Sequence, residues 1–405
     1  MNQTTLVTRH DRLPVFDLTE DPGDVFAETA YQALASAPPI ARTSRGEFLV
    51  TGHPEAVRIL RDPHAEPRFD YPTTGSRWNQ LAERFFVFLD GPTHRRLRSA
   101  FDVEFTRRAI EKAPLQTISE FRAAAFMAQL GRQGTADAIT DFAVPCTVEI
   151  LCRVLGVEDA AVPGVVDLAA RVRSTGDQDG GFLDRVASEL ESVADLLVEA
   201  GRINHRMLTR IEEACGNDRA LVRATVSLLL LAGFETSANL FANIVFALLW
   251  DPRRVRTLVR AGPEVLHTAV EELLRLYSPA HVVARTARQP IEVNGTVLPE
   301  GARIAVFLRL CNTDGRVFPN PHLMDLQRAP NPHLSFSHGR HYCLGATLAR
   351  IEMAEMLRAL MPFLAGLDLA GSAPAWTEQA LGRSLVTLPV RLRTPDTDAS
   401  LGDGP

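Results

Sequence analysis

Apolar side chains dominate the stretch from Arg219 to Trp250, RALVRATVSLLLLAGFETSANLFANIVFALLW, which has no proline and a single glycine. They lie all round the helical wheel rather than on one stripe, which predicts a buried helix. At 1.5 Å per residue it is a rod of about 48 Å, long enough to cross a domain. Asp251–Pro252 ends it. Helical spacing also marks Leu115–Met127, Ala136–Leu155, Leu183–Glu199, Thr268–Leu276 and Ala346–Leu360, with Pro145 opening a fresh helix inside the second. Strand-like runs are shorter: Glu47–Thr51, Arg303–Leu308, and Ile291–Val293 with Thr296–Leu298. The last two flank Asn294–Gly295, which predicts a hairpin with a type I′ turn. Pro54–Arg61 reads as a short helix, and Asp90 as the cap of another that starts near Pro92. The pattern therefore predicts a mainly α protein with a minor β part. Pro63–Asn79 has no periodicity and reads as a loop, and Ser174–Gly181 as a polar, mobile break. Residues 1–40 are Pro-rich and irregular apart from an amphipathic stretch, Val25–Ala35, and residues 395–405 read as a disordered tail.

Composition narrows the class. A chain of 405 residues, 46% hydrophobic, can bury a large core. No repeat or linker divides it, so a single domain over 1–405 is expected. A net charge of −6 gives no electrostatic grip on nucleic acid or an acidic membrane. The N-terminus lacks an apolar core of signal or anchor length. The most apolar run, Val226–Phe234, is too short to span a bilayer and continues into Glu235. A cytoplasmic protein is expected. The cysteines are Cys146, Cys152, Cys215, Cys311 and Cys343, an odd number without C-x-x-C spacing, which argues against disulfides and zinc. Three of them fall in apolar segments and read as core; Cys215 lies in a polar turn and reads as incidental.

Cys343 stands apart. It lies in NPHLSFSHGRHYCLGATLAR (331–350), where Phe336, Gly339, Cys343 and Gly345 keep the spacing F-x-x-G-x-x-x-C-x-G. A thiolate between a glycine-punctuated loop and a helix start is stabilised by unpaired backbone N–H groups and the positive end of the dipole. The two glycines allow tight turning and close approach to something flat, and Phe336 can shield the sulfur from water. Such a ligand suits haem iron, although a cysteine by itself reads as readily as core packing. A second oddity lies mid-helix in Ala232–Gly233–Phe234–Glu235–Thr236–Ser237. Glycine and a carboxylate are costly in a buried helix and mark a function or a strained site. The Thr236 hydroxyl can bond the Ala232 carbonyl and loosen the ladder, the small residues leave room for a diatomic ligand, and Glu235 with Thr236 can pass protons. A kinked core helix with Glu235 ion-paired is the alternative. His94 and Arg98, one turn apart, can clamp a pair of carboxylates or form a solvated basic face. Glu272 and Arg275 can pair at i and i+3.

Taken in order, these motifs resemble the cytochrome P-450 family over roughly residues 45 to 390. The resemblance implies the cytochrome P-450 fold, with Cys343 as axial ligand of haem b. It places His94, Arg98, Arg285 and His341 on the propionates, and Phe336, Gly345, Ala232 and Gly233 beside the haem. Thr236 and Glu235 become the oxygen-activating pair, and Glu272 and Arg275 the framework behind the cysteine loop. Apolar candidates for the substrate wall are Trp78, Phe85, Phe86, Leu229, Val282, Val283, Leu385 and Val386, which suit a hydrophobic or aromatic small molecule. The implied activity is a monooxygenase of bacterial specialised metabolism using O2, a monomer. With no flavin or iron–sulfur module, electrons come from NAD(P)H through a ferredoxin reductase and a ferredoxin, docking near Arg95, Arg96 and Arg340. A peroxide-driven enzyme usually lacks the Glu235–Thr236 pair, and a non-catalytic helper of this fold would have lost the cysteine. Two positions depart from the family. Leu323 and Met324 stand where Arg and Phe are usual, so His322 or Arg328 has to complete the Glu272–Arg275 cluster. Ser337 stands where many relatives have Gly.

Overall fold

The computed structural model describes residues 13–16, 34–67, 75–174, 181–371, 376–379 and 382–393. Most of Val25–Ala35, nearly all of the Ser174–Gly181 break and the 395–405 tail lie outside them. The long helix is continuous over Arg219–Trp250 and starts where the Asp218 carboxylate accepts from Ala220 and Leu221 N–H. By length and composition it is apolar enough to cross a membrane, but 72% of its most apolar window is buried inside the fold. Lined on every side by apolar residues, it is the axis of the core. Packed against it are Val144–Leu155, Phe182–Glu199, Leu266–Tyr277 and Ala346–Leu364. Pro145 does open a new helix, after a π-helical turn over Ile139–Ala143. Leu115–Gln133 runs further than its sequence pattern suggests, to Gly134 in the left-handed conformation.

The β part is a six-stranded sheet in the order 15–16, 40–43, 48–50, 303–307, 282–287, 65–66. Val282–Ala287 pairs antiparallel with Arg303–Phe307, so that Arg285 lies opposite Ile304. The Asn294–Gly295 hairpin forms as expected, with both residues at positive φ (50° and 73°). Within the supposed loop 63–79 a short helix, Arg77–Ala82, begins at Ser76, whose hydroxyl accepts the Asn79 N–H. A one-turn cap of this kind leaves no periodic signal in the sequence.

Candidate active site

The E-x-x-R helix, Leu266–Tyr277, secures the cysteine loop from behind. Arg275 and Glu272, both fully buried, form a two-pronged pair (Nη2–Oε1 2.7 Å, Nε–Oε2 2.8 Å). Arg275 Nη1 also donates to the carbonyls of Asn312 and Pro321. Glu272 accepts from the Asp325 N–H, from Asn331 Nδ2 and from Arg328 Nε at 3.0 Å. Burial pushes its carboxyl up, and these donors, Arg275 first, hold it below the ordinary range overall. Arg328 therefore completes the cluster and His322 does not, while the Leu323 side chain points to solvent, 65% exposed. Ser335 Oγ donates to the Leu274 carbonyl and Leu334 N–H to Asn312 Oδ1, which fixes the approach to the loop.

In the loop, Ser337 adopts φ 60°, the region where glycine is at ease. Gly339 is forced: at φ 74°, a Cβ would meet the Leu60 carbonyl oxygen at 2.3 Å. Its close neighbour is thus the end of helix His53–Arg61. Gly345, at φ −80°, needs no unusual conformation; a Cβ there would lie 4.0 Å from Cys343 Sγ. Cys146, Cys152, Cys215 and Cys311 are buried, and Cys343 is exposed. Cys215 lies in the turn after helix His205–Ala214 as expected, but it is buried against Thr225 rather than incidental. Burial pushes the thiols of Cys146 and Cys152 up to about 12. Cys343, although open to solvent, is surrounded by enough protein to raise its free thiol, while the Gly345 N–H, Arg98 and Arg350 act the other way. An exposed sulfur inside protein mass lies in a recess. Phe336 is 9% exposed, and its carbonyl accepts the Cys343 N–H at 3.0 Å.

Around this recess the His94 and His341 rings meet at a tilt of 31°, their centroids 4.2 Å apart. His341 is pushed down to about 3 by burial, with His94 and Arg285 adding to the effect, and its buried Nε2 has no hydrogen-bond partner among the described residues. Burial likewise lowers His94. Arg285 is buried and donates to the neighbouring Ala284 carbonyl, and burial lowers it to about 10. Arg98 donates to the Tyr342 carbonyl at 2.5 Å. The carboxylate beside them, Asp90, lies 3.8 Å from His341 Nε2 and is bound most closely by Arg340 (Nη2–Oδ2 2.6 Å). Two carboxylates on one edge of a flat ligand would supply what the cluster lacks, and the exposed sulfur a metal ligand. The residues fit a haem. Arg340, expected on a docking surface, is committed to Asp90 and to the carbonyls of Asp62 and Ala65. Arg95 and Arg96 are exposed as expected.

Between Leu221 and Leu249 of the long helix, Ala232 and Thr236 are the exposed positions, one turn apart on one face. Thr236 Oγ1 donates to the Ala232 carbonyl at 2.7 Å, and the helix stays α-helical through the bond. Gly233 has a packing reason for its size: a Cβ would meet Leu151 Cδ1 at 2.6 Å. Glu235 acts electrostatically on Arg173, a guanidinium lowered by burial. Arg173 donates to Asn239 Oδ1 at 2.5 Å and to the Leu385 carbonyl at 3.0 Å, joining helix Val162–Ser174 to the long helix and to the C-terminal hairpin. Ser237 hydrogen-bonds Glu352, a buried carboxyl that burial pushes up to about 8. Neither Arg173 nor Glu352 was singled out from sequence; both sit in ordinary helical runs, and only packing reveals them.

Of the wall candidates, Trp78, Phe85, Phe86, Leu229 and Leu385 share one hydrophobic cluster. Val283 is on the Arg285 face of its strand. Val282 is on the other, packed with Leu34, Leu49 and Phe307, because successive strand residues alternate. Val386 is 41% exposed and Leu385 buried.

Residues 262–362 match the cytochrome P450 family model. The biotin biosynthesis cytochrome P450 of Bacillus subtilis is 30% identical over 382 residues, 89% of this chain and 94% of that protein. This chain belongs to the cytochrome P-450 family. The P-450 monooxygenase PikC of Streptomyces venezuelae is 31% identical, covering 93% of this P-450 and 92% of PikC. Among solved structures, P-450 BioI in complex with hexadec-9Z-enoic acid ligated acyl carrier protein superposes with a TM-score of 0.79 at 27% identity. The match covers 92% of this P-450 and 100% of that chain. The protein is accordingly a haem-binding monooxygenase with the P-450 fold, related to enzymes of bacterial secondary metabolism.

Proposed function

We propose that Cys343 is the axial thiolate of haem b and that the enzyme oxidises a hydrophobic or aromatic small molecule in specialised metabolism. The carrying observation is Cys343: the exposed cysteine, at the head of Ala346–Leu364, beside a cluster of cationic and imidazole donors whose neighbouring carboxylate, Asp90, is bound by Arg340. His94, Arg98, Arg285 and His341 would hold the two propionates. Phe336 keeps water from the sulfur, and the Gly345 N–H hydrogen-bonds it. When bound, the haem supplies an iron centre that activates O2 for insertion of one oxygen into the substrate. The exposed Thr236 hydroxyl would hold a proton at Oγ1, and Glu235 would resupply it from solvent. Trp78, Phe85, Phe86, Leu229, Val283 and Leu385 orient an apolar substrate. Trp78 Nε1, a buried donor without an acceptor among the described residues, suits a carbonyl or ether oxygen on it. Electrons from NAD(P)H arrive through a ferredoxin reductase and a ferredoxin that meets Arg95 and Arg96, and the enzyme works as a cytoplasmic monomer.

The test is the ferrous carbonyl spectrum. Wild type should give a thiolate-type band, and Cys343→His should replace it with an imidazole-type band while the fold is retained. An imidazole-type band in wild type refutes the assignment.

A further inference from the structure

Arg350 lies two turns beyond Cys343 on the helix that the cysteine precedes, and its guanidinium is held on several sides. Nε and Nη2 donate to Glu271 Oε1 and Oε2 at 2.6 and 2.9 Å, a two-pronged pair. Nη1 donates to the Tyr342 hydroxyl at 3.0 Å and to the Ala346 carbonyl at 3.3 Å. The guanidinium carbon lies 4.6 Å from the centroid of Phe336, the ring whose backbone carbonyl holds the Cys343 N–H. Glu271 also meets His333 Nε2 at 3.1 Å. Against burial, His333 and Arg350 together hold its carboxyl down to about 2. The cation is therefore permanent, and the anion stands behind it on the neighbouring helix.

This pair duplicates nothing. The loop is already secured by Glu272, Asn312 and Ser335, which use other donors and acceptors. What Arg350 adds is positive charge, half-buried, stacked on the ring of the residue whose carbonyl holds the Cys343 N–H, and favouring the anionic form of the sulfur. Reducing a thiolate-bound iron adds a negative charge to the centre. A nearby cation that solvent screens poorly favours the reduced form, and an anion behind it partly cancels the effect.

We infer that Arg350, stacked on Phe336 and gripped by Glu271, is a positioning residue that sets the reduction potential of the thiolate-ligated centre, with Glu271 as its counterweight. This rests on the reading of Cys343 as the axial ligand.

Potentiometric titration of the purified holoprotein tests it, using wild type, Arg350→Met, Arg350→Lys and Glu271→Gln. Arg350→Met should disfavour reduction about tenfold, which for a one-electron couple is about 59 mV downward. Glu271→Gln keeps one acceptor oxygen for the Arg350 guanidinium, removes the opposing charge and should move the potential upward. Arg350→Lys keeps the charge and should stay within about threefold of wild type in the reduction equilibrium, the order expected for a moved but retained charge. A purely structural pair would loosen the loop in both neutralised variants and shift them the same way. Shifts of equal sign, or none, beside an intact thiolate-type carbonyl band overturn the inference and leave Cys343 standing. An imidazole-type band in wild type overturns both. Should Arg350→Met fail to hold haem, Glu271→Gln decides alone: a rise supports the inference, and a fall or no change overturns it.

Discussion

The Thr236 hydroxyl is engaged with the Ala232 carbonyl at 2.7 Å yet exposed, so it can exchange that bond for one to a bound molecule at little cost. Thr236→Ala removes the proton-holding atom and leaves the helix intact. The fraction of electrons that reach product should fall by roughly an order of magnitude, and hydrogen peroxide should appear instead. The measurement is product formed per NAD(P)H consumed; unchanged coupling would remove Thr236 from the proton path. Ser337 poses a different single-residue question. Its φ of 60° costs an L-residue about 1–2 kcal/mol, against the 0.5–1 kcal/mol that glycine loses in backbone freedom. Ser337→Gly should therefore stabilise the protein by about 0.5–1 kcal/mol, read as a thermal midpoint about 1–2 °C higher. The departure from the family at this position was visible in the sequence; that it falls on a left-handed residue was not, because φ is a property of the folded loop.

Among the elements, the E-x-x-R helix shows how far sequence spacing reaches. Glu272 and Arg275 at i and i+3 were legible, and so was the absence of the usual Arg at Leu323. Arg328 fills the role because residues 319–331 fold back on the helix and bring its Nε to Glu272 at 3.0 Å. Arg328→Leu would take the second cation from a fully buried carboxylate and leave Arg275 to neutralise it alone. Loss of about 3 kcal/mol or more in unfolding free energy and weaker haem retention are expected. Arg328→Lys should recover only part of this, since an ammonium cannot reach both Glu272 and the Pro319 carbonyl as the planar fork does. Chemical denaturation with haem absorbance as a second probe checks both variants; wild-type behaviour in Arg328→Leu would mean the cluster closes without it. The valine pair makes the opposite point. Val282 and Val283 are equally apolar in the sequence, and only strand pairing sends one to each face.

Across the whole molecule, the cysteine helix and the long helix meet at Ser237 and Glu352, at the centre of the core. The Glu352 carboxyl, 1% exposed, is pushed up to about 8 by burial, so the folded state keeps a proton that the unfolded chain gives up near 4.5. Its contribution to stability is then fully present below about pH 4.5 and is lost as pH rises through 8. Glu352→Gln should differ little from wild type at pH 5 and be more stable at pH 9, on the order of a few kcal/mol. Thermal unfolding across that range measures it, and parallel pH profiles would place the proton elsewhere. Sequence by itself determined the mainly α class, the long buried helix, the hairpin and the motifs around Cys343, Thr236, Glu272 and His94. Each is local: periodicity, caps and fixed spacings act within a few residues. Tertiary structure alone decided that Cys343 is the cysteine left open, that Arg340 is tied to Asp90, and that Arg328, Arg173, Glu352 and the Arg350–Glu271 pair matter. Those facts join residues tens to hundreds apart, and a charge or carboxyl acquires its role only from what packing brings against it.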